Sequence, residues 1–491
     1  MVRDLGTSAS RGVECVASRL LLTTHNASNV GEADLSYRCL MEFLPIEGDV
    51  HVAVPATREQ ITPYVLFEQG DWFEDEIRFV RKLARPGLLA VDIGANHGVY
   101  ALTLAKFAGP SGEVWAFEPA SSTLGYLRKS VEKNALNNLH VIACGLSNRV
   151  GSASFFIGDN SELNSLHEGP GLTRGETIAL RTVDACAAEF GWNDIDFVKL
   201  DAEGEEERII EGGINFFRTQ SPLIMFELKH GEQVNLGLIE RFSALGYDPY
   251  RLVPGLNVIA PFDVDQPADP YQLNLFACKS DRADELEARS LLARSQAVEA
   301  IEPSSYDALC EAVAKRPFAH PFVAKWNHAA HPGEADYLAA LTHYLASEDE
   351  SLSVTSRLAH LGEALVKLDA SLVESENASR LQLLVRAASA IGMRKLAVDV
   401  LGALLQCITS DRVIVNEPFL PLMRRFDAID PGPRIAEWFI AQVLEQRQRL
   451  SAHSTYFTGR DVQNELEILQ GTGFQSEEMN RRLELVRASR R

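Results

Sequence analysis

The chain has 491 residues, which is too long for one hydrophobic core, so we expect two or three domains. Hydrophobic residues make up 46% of the chain and charged residues 23%, which excludes collagen-like, low-complexity and mostly disordered proteins. The formal net charge of −21 would repel phosphate backbones and argues against nucleic acid as a partner.

Cysteine usage and hydropathy favour a reducing, aqueous compartment. The 7 cysteines are widely spaced and include no C-x-x-C pair, which argues against a disulfide framework and against a zinc site. We find no apolar run close to the roughly 20 residues that cross a bilayer. Arg19 interrupts the apolar stretch near the N-terminus, which makes it a poor secretory signal. We therefore expect a cytoplasmic protein without a membrane span.

The first part of the chain predicts two lead-in segments. Residues 1–36 are polar and rich in Ser, Asn and Gly, which predicts a loose N-terminal arm. Residues 37–85 contain apolar runs and end in a helical pattern that Pro86 and Gly87 stop, which predicts an N-terminal cap or lead-in segment.

From residue 86 to residue 280, predicted strands and helices alternate. The strand patterns occupy 88–94, 113–119, 140–146, 196–201 and 222–229, and the first two helices occupy 99–108 and 122–134. The stretch from GSASFFIG to TIALRTVD predicts an inserted pair of strands, and NVIAPF followed by QLNLFACK predicts an antiparallel hairpin at one edge. Such alternation is typical of an α/β protein with a mostly parallel sheet covered by helices on both faces.

After Lys279 the composition changes to Ala, Leu, Glu and Arg, and strand patterns nearly vanish. We predict a linker helix over 281–300 and an all-α accessory domain over 301–491. Residues 380–406 predict two helices with a turn at Gly392, which resembles a single tetratricopeptide-type hairpin without a clear 34-residue period.

The segment VDIGANHGVYALTLA places a glycine-containing turn between a predicted strand and a predicted helix. Glycines in such a turn allow a ligand to approach the backbone closely. Glu118 lies 24 residues after Gly94, at the end of the next predicted strand, where an acid accepts hydrogen bonds from ribose hydroxyls. We therefore predict a cofactor site formed by Asp92, Gly94, Ala95, Asn96, Gly98, Glu118 and Pro119.

Charge indicates which cofactor this site binds. A dinucleotide site requires a second glycine where Asn96 stands, and the carboxylate of Asp92 would repel a phosphate. S-adenosylmethionine has no phosphate and carries two cationic groups, an ammonium and a sulfonium, which carboxylates stabilise. The alternative is that Asp92 caps the turn or helix and that Glu118 is an incidental acid at a strand end.

The segments VDIGANHGVYALTLA, VWAFEPASS, FVKLDAEGEEERIIEGG and LIMFE follow one another in this order. Together they resemble the FkbM-type S-adenosylmethionine-dependent methyltransferases over roughly residues 70–280. The resemblance implies a class I methyltransferase sheet, Rossmann-like and mostly parallel with one antiparallel strand, and S-adenosyl-L-methionine as cofactor. It implies O-methylation of a hydroxyl, often on a sugar or a secondary metabolite. It also implies a site role for the later motif, Lys199, Asp201, Glu203 and Gly204.

Methyl transfer to a hydroxyl requires an acceptor oxygen held in line with the methyl group and a base for its proton. Side-chain alternation after the fourth strand predicts that Asp201 and Glu203 lie on the same side, one of them as the base. His230, after the fifth strand, is a third catalytic candidate. We predict no metal, but two alternatives remain: Asp201 and Glu203 cap the next helix, or they bind magnesium together with Glu227.

These observations leave three hypotheses about function. The first is an O-methyltransferase that acts on a carbohydrate or glycoconjugate, with the helical domain recognising a protein partner or a large acceptor. The second is a methyltransferase of a small secondary metabolite, with the helical domain serving dimerisation. The third is a non-enzymatic scaffold with a methyltransferase-like fold.

Overall fold

The structure is a computed structural model, and it describes residues 41–488 except 168, 170, 231–232, 235–236, 295–300, 302, 328–331, 375–376 and 410–414. The predicted arm at 1–36 and the last third of the predicted linker helix therefore lie outside the described residues. Within them, no helix is both long enough and apolar enough to cross a membrane.

The strands lie in the first 280 residues of the chain. They are β1 (Met41–Ile46), β2 (Val50–Pro55), β3 (Leu89–Ile93), β4 (Glu113–Phe117), β5 (Leu139–Ile142), β6 (Gly145–Leu146), β7 (Gly151–Ile157), β8 (Thr173–Arg181), β9 (Phe197–Leu200), β10 (Leu223–Glu227), β11 (Lys229–His230), β12 (Gln233–Val234), β13 (Asp248–Val253), β14 (Val258–Pro261) and β15 (Asn274–Cys278).

The helices connect these strands and then form the rest of the chain. They are α1 (Ile61–Gln69), α2 (Glu76–Leu83), α3 (Val99–Ala108), α4 (Ser121–Asn134), α5 (Val183–Phe190), α6 (Glu206–Gly212), α7 (Ile214–Thr219), α8 (Gly237–Ser243), α9 (Ser280–Ala288), α10 (Tyr306–Ala314), α11 (Glu334–Glu348), α12 (Val354–Glu374), α13 (Ala378–Ile391), α14 (Arg394–Thr409), α15 (Ile435–Leu450), α16 (Thr455–Thr458), α17 (Gln463–Thr472) and α18 (Glu477–Ala488).

The main sheet has eight strands in the order β14-β13-β15-β10-β9-β3-β4-β5. The strands β3, β4, β5, β9, β10 and β13 run in one direction, whereas β15 and β14 run against them. The central strands are almost entirely buried, as expected where helices cover both faces of a sheet. The predicted α/β class is therefore confirmed.

One detail of the predicted sheet is wrong. The segment Asp248–Val253 was not predicted as a strand because Pro249 and Arg251 interrupt its apolar pattern, yet it forms β13. The edge hairpin joins β13 to β14, whereas β15 lies on the other side of β13, next to β10. The sheet consequently has two antiparallel strands, not one.

The predicted inserted pair of strands is confirmed. It forms β7 and β8, which pair antiparallel with an irregularity between Phe155 and Phe156. The short strand β6 completes this three-stranded sheet. Before the main sheet, β1 and β2 form a separate hairpin. The hairpin packs on α4, where the backbone N–H of Ala53 donates to Ser130 at 2.8 Å.

Helices α10–α18 form the C-terminal part of the chain. The predicted pair at 380–406 is confirmed as α13 and α14, and Gly392 ends the first of them with a φ of +94°. This helical region contacts the N-terminal part through buried polar groups. The hydroxyl of Tyr64 lies 2.9 Å from that of Thr455, and the Thr455 backbone N–H donates to Glu68 at 2.9 Å.

The helical region contains a buried histidine pair that should make stability sensitive to acid. Nδ1 of His343 on α11 lies 3.0 Å from Nδ1 of His360 on α12. One nitrogen therefore donates and the other accepts, because two N–H groups at this distance would repel each other. Burial lowers the pKa of His343, and His360 lowers it further. The folded state thus binds fewer protons than the unfolded state, and stability falls as the pH drops below about 6.5.

We expect His343→Gln to lose less free energy of unfolding than the wild type when the pH falls from 7.5 to 5.5, as measured by urea denaturation. The control is His320→Gln, at an exposed histidine that pairs with Asp430. This variant should lose as much free energy of unfolding as the wild type over the same pH range. Equal losses in the wild type and His343→Gln would contradict a role for the pair.

Candidate functional site

The turn between β3 and α3 has a backbone path that requires glycine. Gly94 has a φ of +79°, and a Cβ added there would lie 1.7 Å from the carbonyl oxygen of Asp201. The backbone N–H groups of Gly94 and Ala95 both donate to the carbonyl oxygen of Phe117, at 3.1 and 3.0 Å. The turn is therefore held between the carboxyl ends of β4 and β9.

Glu118, at the end of β4, is bonded to the same turn. One carboxylate oxygen accepts from the N–H of Asn96 at 2.9 Å and the other from the N–H of Ala120 at 2.8 Å. Burial raises the pKa of Glu118 to about 7, against the effect of these two hydrogen bonds. Burial lowers the pKa of His97 to about 4, so this neighbour of Asn96 is neutral at pH 7.

Asp92 is 1% exposed, and neither of its carboxylate oxygens accepts a hydrogen bond of ordinary geometry from the described residues. Burial raises the pKa of Asp92 to about 6, although Lys199 opposes this change with Nζ at 4.0 Å. Asp92 lies beneath the turn rather than in the wall of the crevice, and a nearby positive charge stabilises its ionised form.

Lys199, on β9, is the buried cation of this site. Its Nζ lies 2.7 Å from Asp201 and 5.3 Å from the ring centre of Tyr100. Burial alone would lower the pKa of Lys199, but Asp201 and Asp92 raise it above its ordinary value. The ammonium therefore keeps its charge and is paired with Asp201, as the spacing of the two residues suggests.

The carboxylates of Asp201, Glu203 and Glu227 converge at the ends of β9 and β10, with one oxygen of each within 4.8 Å of the others. Strand alternation does not bring them together, because β9 ends at Leu200 and Glu203 lies in a turn with a φ of +50°. Burial and repulsion from Asp201 raise the pKa of Glu203 to about 9 and that of Glu227 to about 10.

The helix-capping alternative predicts that Asp201 or Glu203 accepts hydrogen bonds at the N-terminus of α6. The N-terminus of α6 has no side-chain cap, and it is Glu206 that accepts from the backbone N–H groups of Ala202 and Gly204, at 2.9 and 3.1 Å. The predicted residues Asp201 and Glu203 instead line the same crevice as the turn after β3.

The crevice contains most of the predicted cofactor residues. Gly94, Ala95, Asn96, Glu118 and Pro119 line it directly. Gly98 lies below the turn, where an added Cβ would be 2.3 Å from Leu127. His230 belongs to β11, and its side chain is outside the part of the chain that the structure describes.

Two further acids, Glu74 and Glu162, line the crevice from parts of the chain where the sequence pattern does not predict a site. Glu74 lies just before α2, accepts a hydrogen bond from the hydroxyl of Tyr100 and lines the crevice beside Trp72. Burial raises the pKa of Glu74. Glu162, in the loop after β7, also lines the crevice. No local pattern marks these acids, because they reach the site only through tertiary packing.

Comparison with known families agrees with this geometry. Residues 92–249 match the family model described as the methyltransferase FkbM domain. The chain carries an FkbM methyltransferase domain. The predicted family resemblance is thereby confirmed for this part of the chain. No curated protein matches the chain.

The FkbM domain is also similar to solved structures. One is methyltransferase FkbM from Methylobacillus flagellatus KT, with 17% identity and a TM-score of 0.28 over 40% of this chain; the match spans 44% of that protein's length. Another is a SAM-dependent methyltransferase from Aquifex aeolicus, with 14% identity and a TM-score of 0.27 over 44% of this chain and 92% of that one. A third is P. horikoshii TYW2 in complex with MeSAdo, with 14% identity and a TM-score of 0.27 over 49% of this chain and 73% of that one.

The close approach at Gly94 gives a test of the turn in the FkbM domain. We expect Gly94→Ala to destabilise the protein far more than Gly246→Ala, because both have a left-handed backbone but an added Cβ at Gly246 meets nothing within 4 Å. The control should cost about 1 kcal/mol, the strain of a left-handed residue. Urea denaturation measures both variants, and equal costs would show that the turn does not have this backbone path.

Proposed function

We propose that the FkbM domain binds S-adenosylmethionine in this crevice and transfers its methyl group to a hydroxyl oxygen of a carbohydrate or glycoconjugate. The observation that carries the proposal is the excess of acidic groups in the crevice. Six acidic side chains line it, and the lysine among them, Lys199, is already paired with Asp201. The acidic residues are Glu74, Glu118, Glu162, Asp201, Glu203 and Glu205.

The residues present fit this cofactor. An acidic crevice repels the phosphates of a dinucleotide and attracts a sulfonium and an ammonium. Asp92, which lies buried behind the turn, favours a nearby positive charge. Glu118 is held at the turn by two backbone N–H groups, in the place expected for an acid that binds ribose hydroxyls. Apolar side chains form another part of the wall and suit the adenine ring: Cys144, Leu146, Phe155 and Ile178.

When bound, S-adenosylmethionine supplies a methyl group attached to a good leaving group. Transfer would join the methyl carbon to the acceptor oxygen and leave the cofactor as a neutral thioether that keeps the electrons of the broken carbon–sulfur bond. The hydroxyl proton must go to a base. We assign this role to Asp201, since Glu203 and Glu227, with pKa values raised to about 9 and 10, hold protons at neutral pH. Glu203 then orients the acceptor, and a role for His230 stays a prediction.

The choice of a carbohydrate acceptor draws on two further observations. The loop after β7 adds polar side chains to the crevice wall, among them Ser161 and Asn164, which suit sugar hydroxyls. The helical region packs against the FkbM domain and adds surface for a large acceptor. Recognition of a protein partner by this region, a cytoplasmic location and the limits of the two domains stay predictions.

Affinity for S-adenosylmethionine should depend on pH. With pKa values raised to about 6 for Asp92 and about 7 for Glu118, both acids lose their protons as the pH rises, and binding of the cationic cofactor strengthens. We expect roughly tenfold tighter binding at pH 7.5 than at pH 5.5 by titration calorimetry. Glu118→Gln should weaken binding and flatten this dependence.

The control for that titration is Glu207→Gln, on the outer side of α6, where the carboxylate pairs with Arg241. This variant should behave as the wild type. If the wild type does not bind S-adenosylmethionine at either pH, the proposed function is wrong and the scaffold hypothesis is favoured.

Asp201→Asn should lower turnover at least a hundredfold, the usual scale for loss of a general base, with little change in cofactor affinity. Transfer of labelled methyl from S-adenosylmethionine to host glycan fractions measures turnover, and label in small solvent-extractable compounds instead would favour the secondary-metabolite alternative. Glu207→Gln is again the control. EDTA should leave the activity unchanged, whereas a loss restored by Mg²⁺ would assign Asp201, Glu203 and Glu227 to a metal.

A further inference from the structure

A second cavity lies between the FkbM domain and the helical region. Its walls include Arg251 and Tyr271 from the first part of the chain and Arg394 from the second. Trp72 and Glu74 line both this cavity and the cofactor crevice, so the two spaces meet at the segment before α2. We call this second space the interdomain chamber.

The charge of the interdomain chamber is opposite to that of the chain. Eight arginines and six carboxyl side chains line it, in a protein with a net charge of −21. Burial raises the pKa of Glu76 to about 8, so this acid is largely neutral at pH 7. Burial also raises the pKa of Glu74. Which of the arginines carry an uncompensated charge depends on their individual partners.

Six of the chamber arginines have a carboxylate within 4 Å and are already neutralised: Arg78, Arg386, Arg424, Arg425, Arg449 and Arg482. Arg251 and Arg394 differ from them, since no carboxylate among the described residues pairs with either at that distance.

Arg251, on β13, is held at the junction by neutral groups. Its Nη1 donates to the carbonyl oxygen of Ile391 at 2.5 Å, at the end of α13. The approach is tight, because a Cβ added to Gly392 would lie 3.3 Å from the same nitrogen. Burial lowers the pKa of Arg251 with no acidic group opposing it.

Arg394, at the start of α14, is also fixed by groups other than carboxylates. Its Nε donates to the carbonyl oxygen of Leu450 at 2.7 Å, its Nη1 lies 3.0 Å from Nδ1 of His453, and its guanidinium lies 4.9 Å from the ring centre of Tyr271. Burial lowers the pKa of Arg394 to about 10, so the group is still charged at pH 7.

A partly buried charge with no carboxylate within 4 Å is poorly compensated, and two such charges in one cavity favour an anion there. Guanidinium groups bind planar or tetrahedral oxyanions through paired N–H donors. We propose that Arg251 and Arg394 bind an oxyanion of the methyl acceptor, a phosphate or a carboxylate, in the interdomain chamber. This assignment rests on the proposed function, because it concerns the molecule that accepts the methyl group. The acceptor would carry an anionic group in the chamber and would extend past Trp72 and Glu74 to the methyl group in the crevice.

Titration of the full chain with inorganic phosphate, at constant ionic strength and with saturating S-adenosylmethionine, tests the oxyanion site. We expect the wild type to bind phosphate and R251Q/R394Q to bind it at least tenfold more weakly. The matched control R424Q, whose arginine lines the same chamber but pairs with Glu348, should bind as the wild type does. Malonate in place of phosphate distinguishes a carboxylate-bearing acceptor from a phosphorylated one.

Failure of the wild type to bind either anion, or equal binding by R251Q/R394Q, overturns the proposal. R251K/R394K covers the case in which the glutamine variant does not fold, because it keeps both charges and loses only the paired donors; it too should bind phosphate more weakly. Affinity for S-adenosylmethionine should be unchanged in all three variants.

The two proposals can fail separately. A wild type that binds S-adenosylmethionine but neither anion removes the acceptor site alone, whereas one that does not bind S-adenosylmethionine removes the proposed function. Methyl label transferred from S-adenosylmethionine to cell extract should be retained by an anion exchanger at pH 7. Label confined to neutral compounds would overturn the anionic acceptor and leave methyl transfer in place.

Discussion

Lys199 lies buried at the end of β9, with its Nζ 2.7 Å from Asp201 and 4.0 Å from Asp92. Removing an ammonium from water costs several kcal/mol, and the two carboxylates and the ring of Tyr100 offset this cost. The same contacts hold the ends of two neighbouring parallel strands together. Gly94 is required by this approach, since the backbone of Asp201 occupies the place of a Cβ. The crevice therefore depends on one cation fixed between two strand ends.

The parts of the site that follow from local chain geometry could be predicted from the sequence. The glycine turn, the spacing from Gly94 to Glu118 and the helix Val99–Ala108 are all determined by residues close together in the chain, and the structure has them as expected. Glu203 shows the limit of this reasoning. Its nearness to Asp201 was predicted from an extended chain, but it arises from a left-handed turn that no spacing rule indicates.

Features that depend on distant parts of the chain were not predictable. The acid Glu74 reaches the crevice because α2 packs near α3, and β13 was missed because Pro249 and Arg251 disturb its pattern. The chamber arginines are a stronger case. Among the described residues, six of the eight arginines pair with carboxylates that the fold brings within 4 Å, and Arg251 and Arg394 do not. Neither these pairings nor the arginine-rich lining can be predicted from the acidic composition of the whole chain.

The distribution of charge also bears on the proposed methyl transfer step. A sulfonium loses its charge as the methyl group leaves, so carboxylates beside it stabilise the bound cofactor more than the transition state. Burial and mutual repulsion reduce this penalty, because they raise the pKa values of Glu203 and Glu227 to about 9 and 10 and keep both groups neutral. Asp201 is balanced by Lys199. Under the proposed function, cofactor affinity would depend on Asp92 and Glu118 at the turn, while the reaction would take place in a nearly neutral part of the crevice. An anionic acceptor is compatible with this arrangement only if its charge is held elsewhere, and the oxyanion site proposed at Arg251 and Arg394 would hold it.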